Sequence, residues 1–337
     1  MHNLTESELK EVLRKKIPVI MCIDVEPDER VVHRYDRVPW KGLELSYEFF
    51  SRLRSLLASA TGSPVHYSWF FRMDPQVAET YGSAAWPVLH YSRYVEDFAR
   101  NGDEIGLHTH AWRWDEPRKS WLADHGDPAW VEQCIRVSFE SFHEALGRGC
   151  ASFRFGDRWM SNATMELIES LGARFDLTLE PGHGATPFHT GDELYTGSIP
   201  DYTEVPQFPY RPSRADFRKP DPSRPHGLWT IPISSGYVVK RDAPPRRLYR
   251  MFFPGVHEQL RPLTLGMWHD PRDFHTVMDR ILMKGQVPYL AFVVRSDLPL
   301  RTMMPHMQEI FEGILSHPWV DRFVFSTPAE AMAQLEY

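Results

Sequence analysis

The chain has 337 residues, with 38 basic against 45 acidic side chains and a formal balance of −7. That disfavours a nucleic-acid partner, which would need a clustered positive footprint. The hydrophobic fraction of 42% and charged fraction of 25% exclude a disordered or fibrous chain. No run of about 18 apolar residues occurs, so no membrane span is expected. Residues 1–16 lack the apolar segment of a secretory leader. The three cysteines, Cys22, Cys134 and Cys150, are expected to be buried free thiols of a reducing compartment. A cytoplasmic location is the expectation that follows.

The first apolar run, residues 17–23, is short and rich in β-formers, and it ends in acidic residues. It reads as a buried parallel strand feeding a functional loop. Residues 47–60 place Phe49, Phe50, Leu53, Leu56 and Leu57 at helical spacing, and a strand follows over 64–71. A short amphipathic helix over 91–100 stops at Asn101-Gly102, and a strand over 104–107 leads into His108. Asp127-Pro128 reads as an N-cap with proline at the first helical position, opening a helix that runs to Leu146. Next come a strand over 151–154, a helix over 161–171 and a strand over 174–178. This alternation predicts an α/β fold with parallel strands, whose active residues lie at the strands' C-terminal ends.

From residue 180 to about 225 the periodicity fails. The segment is rich in Pro, Gly and Arg, but its aromatics (Tyr195, Tyr202, Phe208, Tyr210, Phe217) argue for an ordered insertion bordering the site. Strands are expected over 228–233, 262–267, 289–294 and 323–325, with helices over 271–284 and 308–315. Thr327-Pro328-Ala329-Glu330 is a capping box that opens a last helix. One domain spanning residues 1–337 accounts for the pattern.

Three constellations could carry chemistry. Asp24-Val25-Glu26 ends the first strand. Carboxylates two apart point the same way in a strand and repel unless a metal or a proton lies between them; a solvated acid pair is the plainer alternative. His108-Thr109-His110 ends another strand, and two imidazoles so spaced can share one metal. Phe153-Arg154-Phe155-Gly156-Asp157-Arg158-Trp159 follows a third strand. Its Arg154 can orient a carboxylate, and its Gly156 permits close backbone approach.

The order Asp-Val-Glu, then Glu-Ile-Gly-Leu-His-Thr-His-Ala-Trp, then Phe-Arg-Phe-Gly, resembles the NodB-homology polysaccharide deacetylases. Gly172-Ala173-Arg174-Phe175-Asp176 and the closing segment from Tyr289 through Glu330 extend the resemblance over most of the chain outside the insertion. It implies a NodB-like distorted (β/α) barrel and a divalent metal ion, with Zn²⁺ expected. By this resemblance Asp24 is the catalytic base and Glu26, His108 and His110 are metal ligands, with the roles of the two acids open to exchange. Arg154 steadies the base. Trp112, Asp157 and Trp159, which lie in the same motifs, are expected to contact substrate. The chain departs from the family at the late strand. Where the family places a histidine as general acid, this chain has Arg295, which cannot give up and recover a proton at neutral pH. His183 and His269 lie in loops that could supply a substitute.

The implied reaction is metal-assisted hydrolysis of an N-acyl group on a sugar or glycan precursor, with nucleotide sugars or lipid-linked precursors of a surface polysaccharide as expected substrates. Two rivals stand beside it: a glycan-binding relative that has lost turnover, and a non-haem iron site, which also uses one carboxylate and two histidines. The arginines and lysine at 211, 214, 218 and 219 could bind phosphate or an acidic sugar, or simply be solvated. The sequence leaves the oligomeric state open.

Overall fold

The computed structural model describes residues 15–29, 33–186, 194–239, 258–265, 270–284, 289–297 and 300–335. The first apolar run forms strand β1 (Ile17–Val25), in which every residue is buried. Such a strand must be covered on both faces, as in a parallel α/β sheet. After it come helix α1 (Lys41–Thr61), strand β2 (Ser68–Arg72), the short helices α2 (Pro75–Tyr81), α3 (Trp86–His90) and α4 (Ser92–Arg100), and strand β3 (Glu104–Thr109). A hairpin, β4 (Trp112–Asp115) and β5 (Ser120–Asp124), precedes helix α5 (Pro128–Leu146). Strand β6 (Ser152–Phe155), helix α6 (Asn162–Ser170) and strand β7 (Phe175–Asp176) follow. The remainder comprises β8 (Leu194–Thr196), β9 (Trp229–Thr230), β10 (Ser235–Val239), β11 (Glu258–Pro262), β12 (Thr264–Leu265), α7 (Pro271–Lys284), β13 (Leu290–Arg295), α8 (Leu300–Leu315), β14 (Phe323–Phe325) and α9 (Pro328–Gln334).

The main sheet runs β12-β13-β1-β2-β3-β6-β7-β9, with β14 also on β1. Every pairing in it is parallel. The period of two sorts each strand's side chains between two cores. Ile17, Val19, Met21, Ile23 and Val25 of β1 join the large cluster, which also holds Leu43, Phe50 and Leu57 of α1. Ile20 and Cys22 join a smaller cluster with Phe70, Ala291 and Val293 of the neighbouring strands β2 and β13 and with Phe175 of β7, four strands from β1 in sheet order. Strands β1 and β7 can meet there only inside a sheet curled on itself. Ala331 and Met332 of α9 complete this inner cluster.

Local signals in the sequence act as expected. The Asp127 side chain accepts from Ala129 N and Trp130 N at the start of α5. Gly102, with φ 79°, turns the chain after α4. The capping box joins Thr327 and Glu330 in both directions. The three cysteines are buried free thiols. No helix among the described residues is long and apolar enough to cross a membrane.

Several expectations need correction. Helix α1 begins six residues before the expected start at 47, because Asp28 accepts from the N–H groups of Lys41 and Gly42 from a distant part of the chain. Strand β2 starts at Ser68, four residues after the expected start, and reaches Arg72. The expected strands over 174–178 and 228–233 shrink to two residues each. The one over 262–267 divides between β11 and β12, which lie in different sheets, and residues 266–267 lie outside the described residues. Helix α8 starts at Leu300, not 308, and carries Pro305 within it. The hairpin β4–β5, the helices α2 and α3, and β10 were not anticipated. Within the insertion, β8 pairs with β5 and so extends the hairpin to a three-stranded sheet; residues 187–193 lie outside the described residues.

Candidate active site

The inner row of side chains becomes polar at the C-terminal ends of the strands. In β1, Asp24 and Glu26 continue the parity of Ile20 and Cys22; in β2, Arg72 continues that of Phe70; in β13, Arg295 continues that of Ala291 and Val293. His108 alternates with Leu107, and Arg154 with Phe153, both in the outer cluster. Five strands thus direct charged or imidazole groups into one end of the barrel. This is where an open parallel sheet presents its ligands.

Glu26, His108 and His110 each offer a donor atom, and the three atoms lie within 4.8 Å of one another, all buried. Glu26 Oε1 is 3.5 Å from His108 Nε2, and Oε2 is 3.3 Å from His110 Nε2. The two Nε2 atoms are 3.0 Å apart. His108 Nδ1 is 3.2 Å from the carbonyl oxygen of Arg154, which can only accept, so Nδ1 carries the proton and Nε2 a lone pair. His110 Nδ1 lies 3.1 Å from Asp157 Oδ2 and 3.0 Å from Trp112 Nε1. Trp112 Nε1 can only donate, so Nδ1 accepts from it, while Nε2 faces Glu26. These three groups, Glu26, His108 and His110, could together hold a metal ion.

Three guanidinium groups surround the donors, each with its own carboxylate. Arg154 Nε donates to Asp24 at 2.8 and 3.1 Å. Arg72 donates to both oxygens of Asp74 at 2.9 and 3.1 Å. Arg295 donates to Asp297 at 3.1 and 2.6 Å. Glu26 itself lies 3.6 Å from Arg72 Nη1 and 3.8 Å from Arg295 Nε. One carboxylate and two imidazoles form a donor set that suits a dication such as zinc. Burial works against the His110 imidazolium and Arg72 opposes it, but Asp157 and Glu26 outweigh both and raise its pKa.

Asp24 is 2% exposed. Its strand lies three strands from β6, about 14 Å in a flat sheet, and Arg154 bridges that gap across the concave interior. Arg154 also donates to the Leu177 carbonyl at 2.6 Å. Gly156 is required by close approach: a Cβ there would lie 2.2 Å from His110 Cε1. Asp157 and Arg158 adopt φ of 56° and 60°, a costly conformation for non-glycine residues, and so aim Asp157 at His110.

The expected substrate contacts are only partly placed to make them. Trp112 is fully buried, packed in a cluster with Trp121 and Ala123. Its Nε1 donates to His110 Nδ1, and the hairpin after β3 encloses it. Asp157 is engaged with His110. Trp159 is 8% exposed and stacks on His125 at 5.4 Å between centroids. Arg295 sits beside Asp24 in the β1–β13 register, its Nε 3.8 Å from Glu26 Oε1. Burial opposes its charge, but Asp297 and Glu26 push its pKa further up, so it stays charged. Burial pushes His125 down to about 4, and burial also lowers His183, which lies between Arg158 and Glu180. His269 lies outside the described residues.

Sequence reasoning missed Arg72 and Asp74. Arg72 is fully buried, and its Nη1 lies 3.6 Å from Glu26 Oε2. Asp74 holds Arg72 while its Oδ2 accepts from His110 N at 3.1 Å. The signal was there: a charged residue ending the apolar run Ser68-Trp69-Phe70-Phe71.

No family model and no curated protein matches the chain. Solved structures do. A "putative glycoside hydrolase/deacetylase" from Parabacteroides distasonis aligns over 95% of this chain and 71% of its own, at 15% identity and a TM-score of 0.53. A "probable polysaccharide deacetylase" from Pseudomonas aeruginosa PAO1 aligns over 99% and 94%, at 14% identity and a TM-score of 0.49. The allantoinase PuuE aligns over 94% and 89%, at 14% identity and a TM-score of 0.48. The architecture is the NodB-like distorted (β/α) barrel. At such identities the likeness is one of fold, and fold alone does not fix a reaction.

Proposed function

We infer that the protein hydrolyses the N-acyl amide of a sugar or glycan precursor, using a divalent metal, zinc in the first instance, held by Glu26, His108 and His110. The observation that carries this reading is the convergence of Glu26, His108 and His110, whose donor atoms lie within 4.8 Å of one another. When bound, such an ion polarises the amide carbonyl and lowers the pKa of water toward ~7.

The chain's own groups do the rest. Asp24 takes the proton of the attacking water. Arg154 fixes the orientation of Asp24. The Arg154 carbonyl holds His108 in the tautomer that presents Nε2, and Asp157 and Trp112 fix the ring of His110. Arg72 and Arg295 flank Glu26 and offset part of its charge, and Arg295 supplies a fixed positive charge for an anionic intermediate. Nucleotide sugars or lipid-linked precursors of a surface polysaccharide, met in the cytoplasm, are the proposed substrates.

Asp24→Asn tests the reading. Its zinc content should match the native protein's while release of acetate from N-acetylated sugars falls to background. Full turnover in that variant, or a native protein with no stoichiometric metal, defeats the proposal. Arg295, held charged by Asp297 where the resemblance expects a proton donor, favours a second reading: a glycan-binding relative without turnover. Release of any acid from a sugar amide by the native protein excludes it.

A further inference from the structure

Three basic residues of the insertion, Arg211, Arg218 and Lys219, stand outside the chemistry above, and they differ in their partners. Arg218 and Lys219 both turn to Asp216, at 2.8 and 3.9 Å. Arg211 has no carboxylate partner among the described residues. Its Nη1 donates to the Gly227 carbonyl at 2.6 Å, and its guanidinium lies 4.1 Å from the centre of the Trp229 ring. It lines a cleft of about 410 Å³ together with Arg174, His226 and Glu169. The cleft lies at the N-terminal ends of β7 and β9, where Trp229 N donates to the Arg174 carbonyl. It is therefore at the end of the sheet opposite to Glu26 and the histidines.

The cleft is built from locked parts. Arg224 holds Glu169 with two contacts of 2.6 and 2.7 Å, and Leu228 N donates to the same carboxylate at 3.0 Å. Gly227, at φ 115°, is the only kind of residue that fits, since a Cβ there would meet Glu169 Oε1 at 2.1 Å. The 224–228 turn is thus clamped onto α6, and the clamp sets Arg211 on Trp229. Glu169 is the one carboxylate among the described lining residues, and Arg224 neutralises it. Arg174 and Arg211 then leave the cleft positive in a chain whose formal balance is −7. Burial and the neighbouring Arg224 both act against the charge of Arg211, and Glu169 does not compensate. An anion would.

We propose that this cleft is a second binding site, specific for a small phosphate-bearing molecule, whose phosphate is held by Arg211 and Arg174 and whose organic part rests in the space beside Trp229. Two guanidinium groups suit a dianionic phosphate, which takes bidentate arginine contacts, and the volume lies in the range of small-molecule sites. The site is independent of the proposed reaction and survives its failure.

The test is calorimetric titration of the full chain with inorganic phosphate, with glucose 1-phosphate and with glucose. The expected result is saturable binding of one phosphate per chain, tighter for the sugar phosphate and absent for glucose. Arg211→Gln and, separately, Arg174→Gln should each weaken it roughly tenfold or more, the loss of one charge-assisted hydrogen bond. Glu26→Gln, at the other end of the barrel, should leave it unchanged. The proposal is overturned if neither phosphate binds, if both arginine variants bind as the native protein does, or if Glu26→Gln abolishes the binding.

Discussion

The buried carboxyl of Asp176 offers a test of the structure that needs no substrate. Asp176 is fully buried, facing the outer side of β7 beneath the insertion. Its Oδ1 accepts from the Thr178 hydroxyl at 2.6 Å and from Thr178 N at 3.2 Å, while Oδ2 has no hydrogen-bond partner among the described residues. Burial raises its pKa to about 7, against the lowering pull of Thr178 and Arg154. Its pKa is higher in the folded state than in the unfolded chain, so its contribution to stability is full below the unfolded value, near 3.8. That contribution is lost as the pH rises through about 7. Three pKa units of difference amount to about 4 kcal/mol in total, of which about 3 kcal/mol falls between pH 5 and 8. Asp176→Asn imitates the protonated form at every pH. Denaturant unfolding of both proteins should show the variant gaining about 3 kcal/mol on the native chain between pH 5 and 8. Parallel pH dependences for the two proteins would refute the assignment of a buried, proton-holding carboxyl at this position.

Three further outcomes follow from the site. Glu26→Gln should retain the fold by circular dichroism but lose roughly tenfold or more in zinc affinity, measured by competition with a chelating dye; undiminished affinity would remove Glu26 from the donor set. Gly156→Ala forces a methyl group into the His110 ring and should cost ~1–3 kcal/mol in unfolding free energy, together with weaker zinc binding; a variant of native stability and affinity would contradict the geometry. Arg295→His puts a titratable group beside Glu26 and Asp297, which favour its protonated form. Turnover should then gain a limb that falls as the pH rises through the imidazole range, and a pH profile identical to the native one would show that the position donates no proton.

How much of this was legible in the chain depends on how local each cause is. The buried run before Asp24, the Asp127-Pro128 cap and the Thr327–Glu330 box are written within a few residues, and the structure has them where the sequence indicates. Elements held by distant partners were not legible. Helix α1 starts early because Asp28 captures the N–H groups of Lys41 and Gly42. Strand β8 exists because β5 supplies its edge across some 70 intervening residues. Periodicity sees neither.

The site divides in the same way. Glu26, His108 and His110 could be named because strand-end donors two residues apart form a recognisable local pattern, and their convergence follows from the order β1-β2-β3. Arg72 belongs to the same row by the same parity, yet a single arginine after an apolar run carries no spacing to recognise. Its importance comes from being fully buried between Asp74 and Glu26, a property of the closed barrel and not of any window of sequence. A buried guanidinium next to a set of metal donors would raise the cost of binding a cation if it stood alone. Asp74 removes that objection: it takes up the charge of Arg72 and uses its remaining capacity on His110 N. The pair therefore tightens the position of two donors, Glu26 through the guanidinium and His110 through the backbone.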